Sequence, residues 1–153
     1  MMGGGQQQLQ QLSQELQAID EEIEELESQV EELQTEQTEI DEAIEAIGSL
    51  ETGSTVQVPL GGGAYVRAEV QDIDEIIVDL GADFAAEQPA DDAVEALETK
   101  RDALDDRIDE VQEDIAELES ESDELEQQAQ QMQQQMQQQQ QMQQMQQQSG
   151  DDE

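Results

Sequence analysis

The chain has 153 residues, enough for one ordinary domain, and sets 42 Asp and Glu against 4 Lys and Arg, a formal net charge of −38. It contains no cysteine and no histidine, which excludes disulfides, thiolate nucleophiles, imidazole bases and zinc sites built on those ligands. Phosphate recognition and anionic-lipid docking both need cations, so neither nucleic acid nor membrane is expected as a partner.

Self-repulsion of this size destabilises a compact fold in dilute buffer. In molar salt the Debye length falls to about 3 Å and most of it is screened. The composition therefore fits a salt-loaded cytoplasm such as an extreme halophile's, with disorder as the competing explanation. No run of about 18 apolar residues occurs, and "MMGGGQQQ" lacks the basic and apolar regions of a signal peptide, so a soluble, cytoplasmic protein is expected.

From Leu9 the apolar residues step by three and four through Leu12, Leu16, Ile19, Ile23, Leu26, Val30 and Leu33, then Gln37, Ile40, Ile44 and Ile47. This is a heptad stripe with one polar position, and it predicts a coiled-coil helix over 9–50. Glu21, Glu22, Glu24, Glu25, Glu31 and Glu32 fill the positions between, where a helix meets water. A disordered acidic segment has no reason to keep that spacing.

Over 54–88 the period changes to two. "STVQVPL" sets Val56, Val58 and Leu60 against Gln57 and Pro59; "GGG" at 61–63 turns the chain; "AYVRAEV" sets Val66, Ala68 and Val70 opposite Tyr65 and Arg67. That predicts a β-hairpin, with Pro59 at an edge or strand end because it cannot donate to a ladder. "EIIVDL" puts Ile76, Val78 and Leu80 on one face, and Gly81 opens a turn into "DFAAE", which predicts a second hairpin. The glycines carry no phosphate-loop reading, since a strand rather than Lys-Ser/Thr and a helix follows them.

The heptad returns over 91–136 in Val94, Leu97, Arg101, Leu104, Ile108, Val111, Ile115, Leu118, Ser122, Leu125, Ala129, Met132 and Met136. Asp91 and Asp92 suit the positive end of the helix dipole. Polar seam residues Gln37, Arg101 and Ser122 either pin register or are tolerated defects. Residues 137–153 form a Gln/Met-rich tail, expected to be frayed or disordered.

The fold class is thus α+β and mainly α: a long antiparallel two-helix coiled coil with two β-hairpins between the helices. Each helix has about 42 residues in register, near 63 Å. If Leu50 lies beside Val94, Leu9 lies opposite about residue 135, and residues past about 140 overhang. Four short strands with open edges have too little apolar mass to stand alone, so an obligate oligomer is expected.

Within this frame "VPLGGGAYV" (58–66), "IIVDLGADF" (76–84) and "DDAVEAL" (91–97) resemble the hairpin signatures and second-helix start of archaeal prefoldin alpha subunits, of haloarchaeal type. The resemblance covers essentially the whole chain. It implies a prefoldin chaperone subunit, not an enzyme and without a cofactor or metal, in a hexamer of two alpha and four beta subunits. It also implies capture of non-native client proteins at the coil tips and their transfer to the group II chaperonin without ATP. Subunit assembly falls to Val56, Val58, Leu60, Tyr65, Val66, Ile76, Val78, Leu80 and Phe84.

Residues 1–14 and 127–150 carry no charge, and in an antiparallel hairpin they are the same end. Methionine is flexible and polarizable and suits promiscuous apolar contacts. Met1, Met2, Leu9, Leu12, Met132, Met136, Met142 and Met145 are the expected client-binding residues. Met132 and Met136 also fit the seam as core, whereas Met142 and Met145 have slipped from it. The alternatives are a structural coiled-coil scaffold or tether without chaperone activity, and an aggregation-prone Gln-rich tail.

Overall fold

The computed structural model describes residues 3–150. Helix α1 (Gly3–Ser49) is followed by strands β1 (Thr55–Gly61), β2 (Ala64–Glu69), β3 (Ile76–Gly81) and β4 (Phe84–Gln88), then by helix α2 (Ala90–Gly150). β1 pairs only with β2 and β3 only with β4, both antiparallel, as two separate two-stranded sheets. The residues group into two compact units: α1 up to Val30 with α2 from Glu110, and Glu31–Asp109.

In the unit that carries the sheets, Leu33, Gln37, Ile40, Ile44 and Ile47 of α1 and Val94, Leu97, Arg101, Leu104 and Ile108 of α2 are buried or half-buried, and most positions between them are exposed. Ile40 and Ile108 are the most enclosed. The polar seam residues meet each other. The Gln37 amide donates to the Arg101 carbonyl and to Asp105 Oδ1, and the Arg101 guanidinium donates to Asp41 Oδ1 at 2.7 Å. The hydrogen bond to Asp41 raises the Arg101 pKa further, so this cation persists wherever the fold does. Unlike seam residues thus satisfy one another in only one register.

In the other unit Leu9, Leu12, Leu16, Ile19, Ile23, Leu26 and Val30 occupy the α1 seam, and Val111, Ile115, Leu118, Ser122, Leu125, Ala129, Met132 and Met136 occupy that of α2. Gly5 lies against Met136: a methyl group on Gly5 would sit 3.5 Å from the sulfur. Counting back from that contact, Leu9 stands opposite about position 132. The 135 expected from level helix ends at Leu50 and Val94 is therefore about one turn off. A heptad stripe tolerates a one-turn slip, and the Gln37–Arg101–Asp41 pairing selects between the alternatives.

The helices are also longer than the heptads suggest. α1 begins at Gly3, and α2 runs through Gly150, past the limit of 136 set by the seam. The tail expected to be frayed or disordered is therefore helical to that point. Gln and Met are good helix formers, and between Gln137 and Ser149 neither proline nor glycine interrupts them.

The second hairpin lies along α2, with the Lys100 ammonium donating to the Asp79 carbonyl at 2.6 Å. Lys100 belongs to a second covered stripe on α2, with Ala93 fully buried and Ala96 half-buried. Its turn is made by Ala82 and Asp83, both in the left-handed region at φ 51° and 63°, where the first hairpin has Gly62 and Gly63. A two-residue hairpin turn needs that conformation twice, and a Cβ there costs about 1–2 kcal/mol. Ala82→Gly is therefore expected to stabilise the hairpin by about 0.5–1 kcal/mol, after the extra entropy of glycine. Slower amide exchange in β3 and β4 would report it, and faster exchange would refute it.

Candidate functional site

Two groups of exposed large apolar side chains stand out among the described residues. One is on the hairpins: Val58, Leu60, Tyr65, Val66, Ile77, Leu80 and Phe84; the other is Met142 and Met145 on α2. Scattered exposed apolar residues are normal, but grouped ones mark interaction surfaces.

On the first hairpin Val56 pairs with Ala68 and Val58 with Val66, so these four share a face, while Gln57, Pro59, Tyr65 and Arg67 share the other. Val56 is half-buried, whereas Val58 and Val66 are open to solvent. Leu60 and Gly61 together oppose Ala64 in a bulge that leads into the Gly62–Gly63 turn. That leaves Leu60 exposed at the loop end.

The second hairpin departs from expectation. Ile76, Val78, Ala86 and Gln88 share one face, and Val78 is only 4% exposed within this chain. Val78, given to subunit assembly by the resemblance, is thus covered by its own chain, and Ile76 beside it is half-buried. Ile77, on the opposite face, is 68% exposed. Strand alternation separates the two faces but cannot say which one the chain's own helix covers. Leu80 and Phe84, around the bulge between Asp79 and Gly81, are exposed.

At the uncharged helix end, Met132 and Met136 are half-buried in the seam, and 137–148 are exposed throughout. Met142 and Met145 project fully, at 70% and 74% exposure. Leu9 and Leu12 are half-buried, and Leu12 with Met132 floors a groove of about 400 Å³ walled mainly by Gln8, Gln11, Gln128, Gln131 and Gln135, with Glu15 at one side. Met1 and Met2 lie outside the described residues. No group of acidic side chains among the described residues could hold a metal, and no described helix is long and apolar enough to cross a membrane.

Comparison with known proteins agrees with this architecture. A family model described as Prefoldin subunit matches residues 19–141. The chain belongs to the prefoldin family. It is 76% identical over 102 residues to the prefoldin subunit alpha of Halorubrum lacusprofundi, covering 67% of each chain. It is 81% identical over 103 residues to that of Haloquadratum walsbyi, again covering 67% of each. A cryo-EM structure of filamentous prefoldin from Methanocaldococcus jannaschii shares the fold with a TM-score of 0.64 at 24% identity, over 74% of this chain and 96% of that one. As a prefoldin alpha subunit the chain has a chaperone role and assembles with other prefoldin subunits.

Proposed function

We propose that this subunit acts as an ATP-independent holdase that grips non-native proteins at its uncharged helix end and passes them to the group II chaperonin. The hexamer would contain two alpha and four beta subunits and work in a salt-loaded cytoplasm. The carrying observation is the coincidence of three features at one end: no formal charge over 127–150, a helix that outruns its partner, and freely projecting Met142 and Met145.

The chemistry suits promiscuity. Methionine thioethers adapt to many apolar shapes, and glutamines offer hydrogen bonds without repelling acidic clients. Each contact is weak, but several subunits gripping one chain add their contacts through effective concentration. Leu9, Leu12, Met132 and Met136 line the inner part of this surface; Met142 and Met145 form its outer part. On the hairpins, Val58, Leu60, Tyr65, Val66, Leu80 and Phe84 provide the assembly face, with Ile77 added. Val56 continues the Val58–Val66 face, and Ile76 and Val78 support the second hairpin from its covered side.

A scaffold or tether needs no exposed methionines, and the projecting pair favours the holdase. The test is suppression of aggregation of a chemically denatured protein by the assembled complex in molar KCl, without nucleotide. Full aggregation despite intact assembly would leave only the scaffold.

A further inference from the structure

The described methionines fall into two classes. Met132 and Met136 are half-buried in the seam, and the Met136 sulfur packs against Gly5. Met142 and Met145 stand 70% and 74% exposed on the part of α2 that outruns the seam. They are three residues apart, so their side chains are neighbours on one side of the helix. The chain has no cysteine, tryptophan or histidine, so two-electron oxidation of its side chains falls on methionine. All of its methionines lie in the uncharged segments 1–14 and 127–150, away from the hairpins.

We propose that Met142 and Met145 are a reversible sulfoxidation site, through which peroxide switches off the grip of the uncharged helix end on non-native protein. This rests on the holdase reading above and adds to it the regulation of that same surface. The thioether sulfur attacks one oxygen of hydrogen peroxide. An S–O bond forms, the O–O bond breaks, and the second oxygen leaves as water with both protons. The sulfur loses two electrons and the peroxide gains them. Hydrogen peroxide is uncharged, so the net charge of −38 does not keep it from these sulfurs. The product carries a polar S=O group where the apolar, polarizable sulfur gave the side chain its adaptable contacts.

The surroundings keep the change local. Residues 137–148 are exposed throughout, so a sulfoxide on Met142 or Met145 enters water and not the packed seam. Gln138 lies one turn before Met142 and Gln141 one turn before Met145, and their amide N–H groups can donate to the new oxygen. A sulfoxide on Met132 or Met136 would instead bring a polar oxygen against apolar neighbours, which costs stability. The half-burial of those two sulfurs slows that reaction. Exposure thus separates methionines that can be switched from methionines that hold the coil together.

The test oxidises the full-length chain with hydrogen peroxide in molar KCl, removes the peroxide and assembles the chain with untreated companion subunits. Peptide mass spectrometry is expected to show Met142 and Met145 oxidising about fivefold or more faster than Met132 and Met136. Once that pair is converted and Met132 and Met136 are not, helical circular dichroism and the mass of the complex are expected to stay unchanged. Suppression of aggregation of a denatured protein is expected to fall about tenfold. A concentrated small thiol, which takes the oxygen as water and becomes a disulfide, is expected to restore it. The Met142→Leu, Met145→Leu chain, compared with its own untreated complex, is expected to lose less than about twofold, because leucine fills a similar volume without a sulfur. Equal oxidation rates, full capture by the doubly oxidised chain, a loss that the thiol does not reverse, dissociation of the complex, or the same loss in the leucine variant would each overturn the inference. Failure of the untreated wild-type complex to capture protein would instead remove the holdase reading, and this inference with it.

Discussion

A chain cut after Gln137 is expected to assemble and unfold like the full-length subunit, while its complex loses capture of non-native protein about tenfold or more. The boundary follows from the seam. Met136 packs beside Gly5 and closes the last layer in which α1 and α2 oppose each other. Residues 137–148 are all exposed, so their removal takes nothing from the buried seam. Changes of that kind move stability by no more than about 0.5 kcal/mol. Capture is different, because the cut removes both projecting methionines. Full burial of one such side chain is worth about 1.5–3 kcal/mol, so even partial burial against a client accounts for a factor of ten.

The choice of cut matters. Ending the chain at Gln131 would also strip Met132 and Met136 from the seam, which mixes loss of packing with loss of grip. The paired substitution Met142→Gln with Met145→Gln keeps the helix, its length and its neutrality while deleting the thioethers. It should reproduce most of the loss in an aggregation-suppression assay. Undiminished protection by both the truncated and the doubly substituted complexes would place client capture elsewhere on the subunit.

Much of this arrangement was legible from residue spacing. Every apolar seam position read from the heptads of α1 and α2 is buried or half-buried, and the polar members Gln37, Arg101 and Ser122 lie on the seam too. The two hairpins and their turns at 61–63 and 81–83 follow from alternation and glycine. Met142 and Met145 were separable from Met132 and Met136 because they break the three-four step.

Three features were not legible, each for a physical reason. Interhelical register depends on which side chains meet across the seam, and the heptad is nearly degenerate to a one-turn slip. Which side of the second hairpin the rest of the chain covers depends on contacts distant in sequence, so alternation alone could not tell that Val78 is enclosed and Ile77 exposed. The positive φ at Ala82 and Asp83 is imposed by a two-residue turn that glycine would have announced.

Dilution from molar KCl into buffer of about 0.05 M salt is expected to abolish most helical circular dichroism and to dissociate the assembly. The acids concentrate on the solvent faces of the charged middle of each helix, where like charges recur at i and i+4: Glu21 with Glu25, Glu27 with Glu31, Glu32 with Glu36, Asp109 with Glu113 and Glu117 with Glu121. Each such pair costs a few tenths of a kcal/mol when unscreened, and facing helices add repulsion across the coil. The Arg101–Asp41 ion pair links the two helices, but its partners are about half exposed, so it offsets little. The hydrophobic side is thin as well, since of the apolar seam residues only Ile19, Ile40, Ile108 and Val111 are buried and the rest are half-buried. Screening with a Debye length of about 3 Å removes the repulsion between neighbouring turns; at about 14 Å it does not. If repulsion is the cause, trimethylamine N-oxide, which strengthens burial without screening charge, should restore helicity less well than KCl at equal osmolality. Full helicity in dilute buffer would show instead that the packed seam outweighs the net charge of −38 without help from salt.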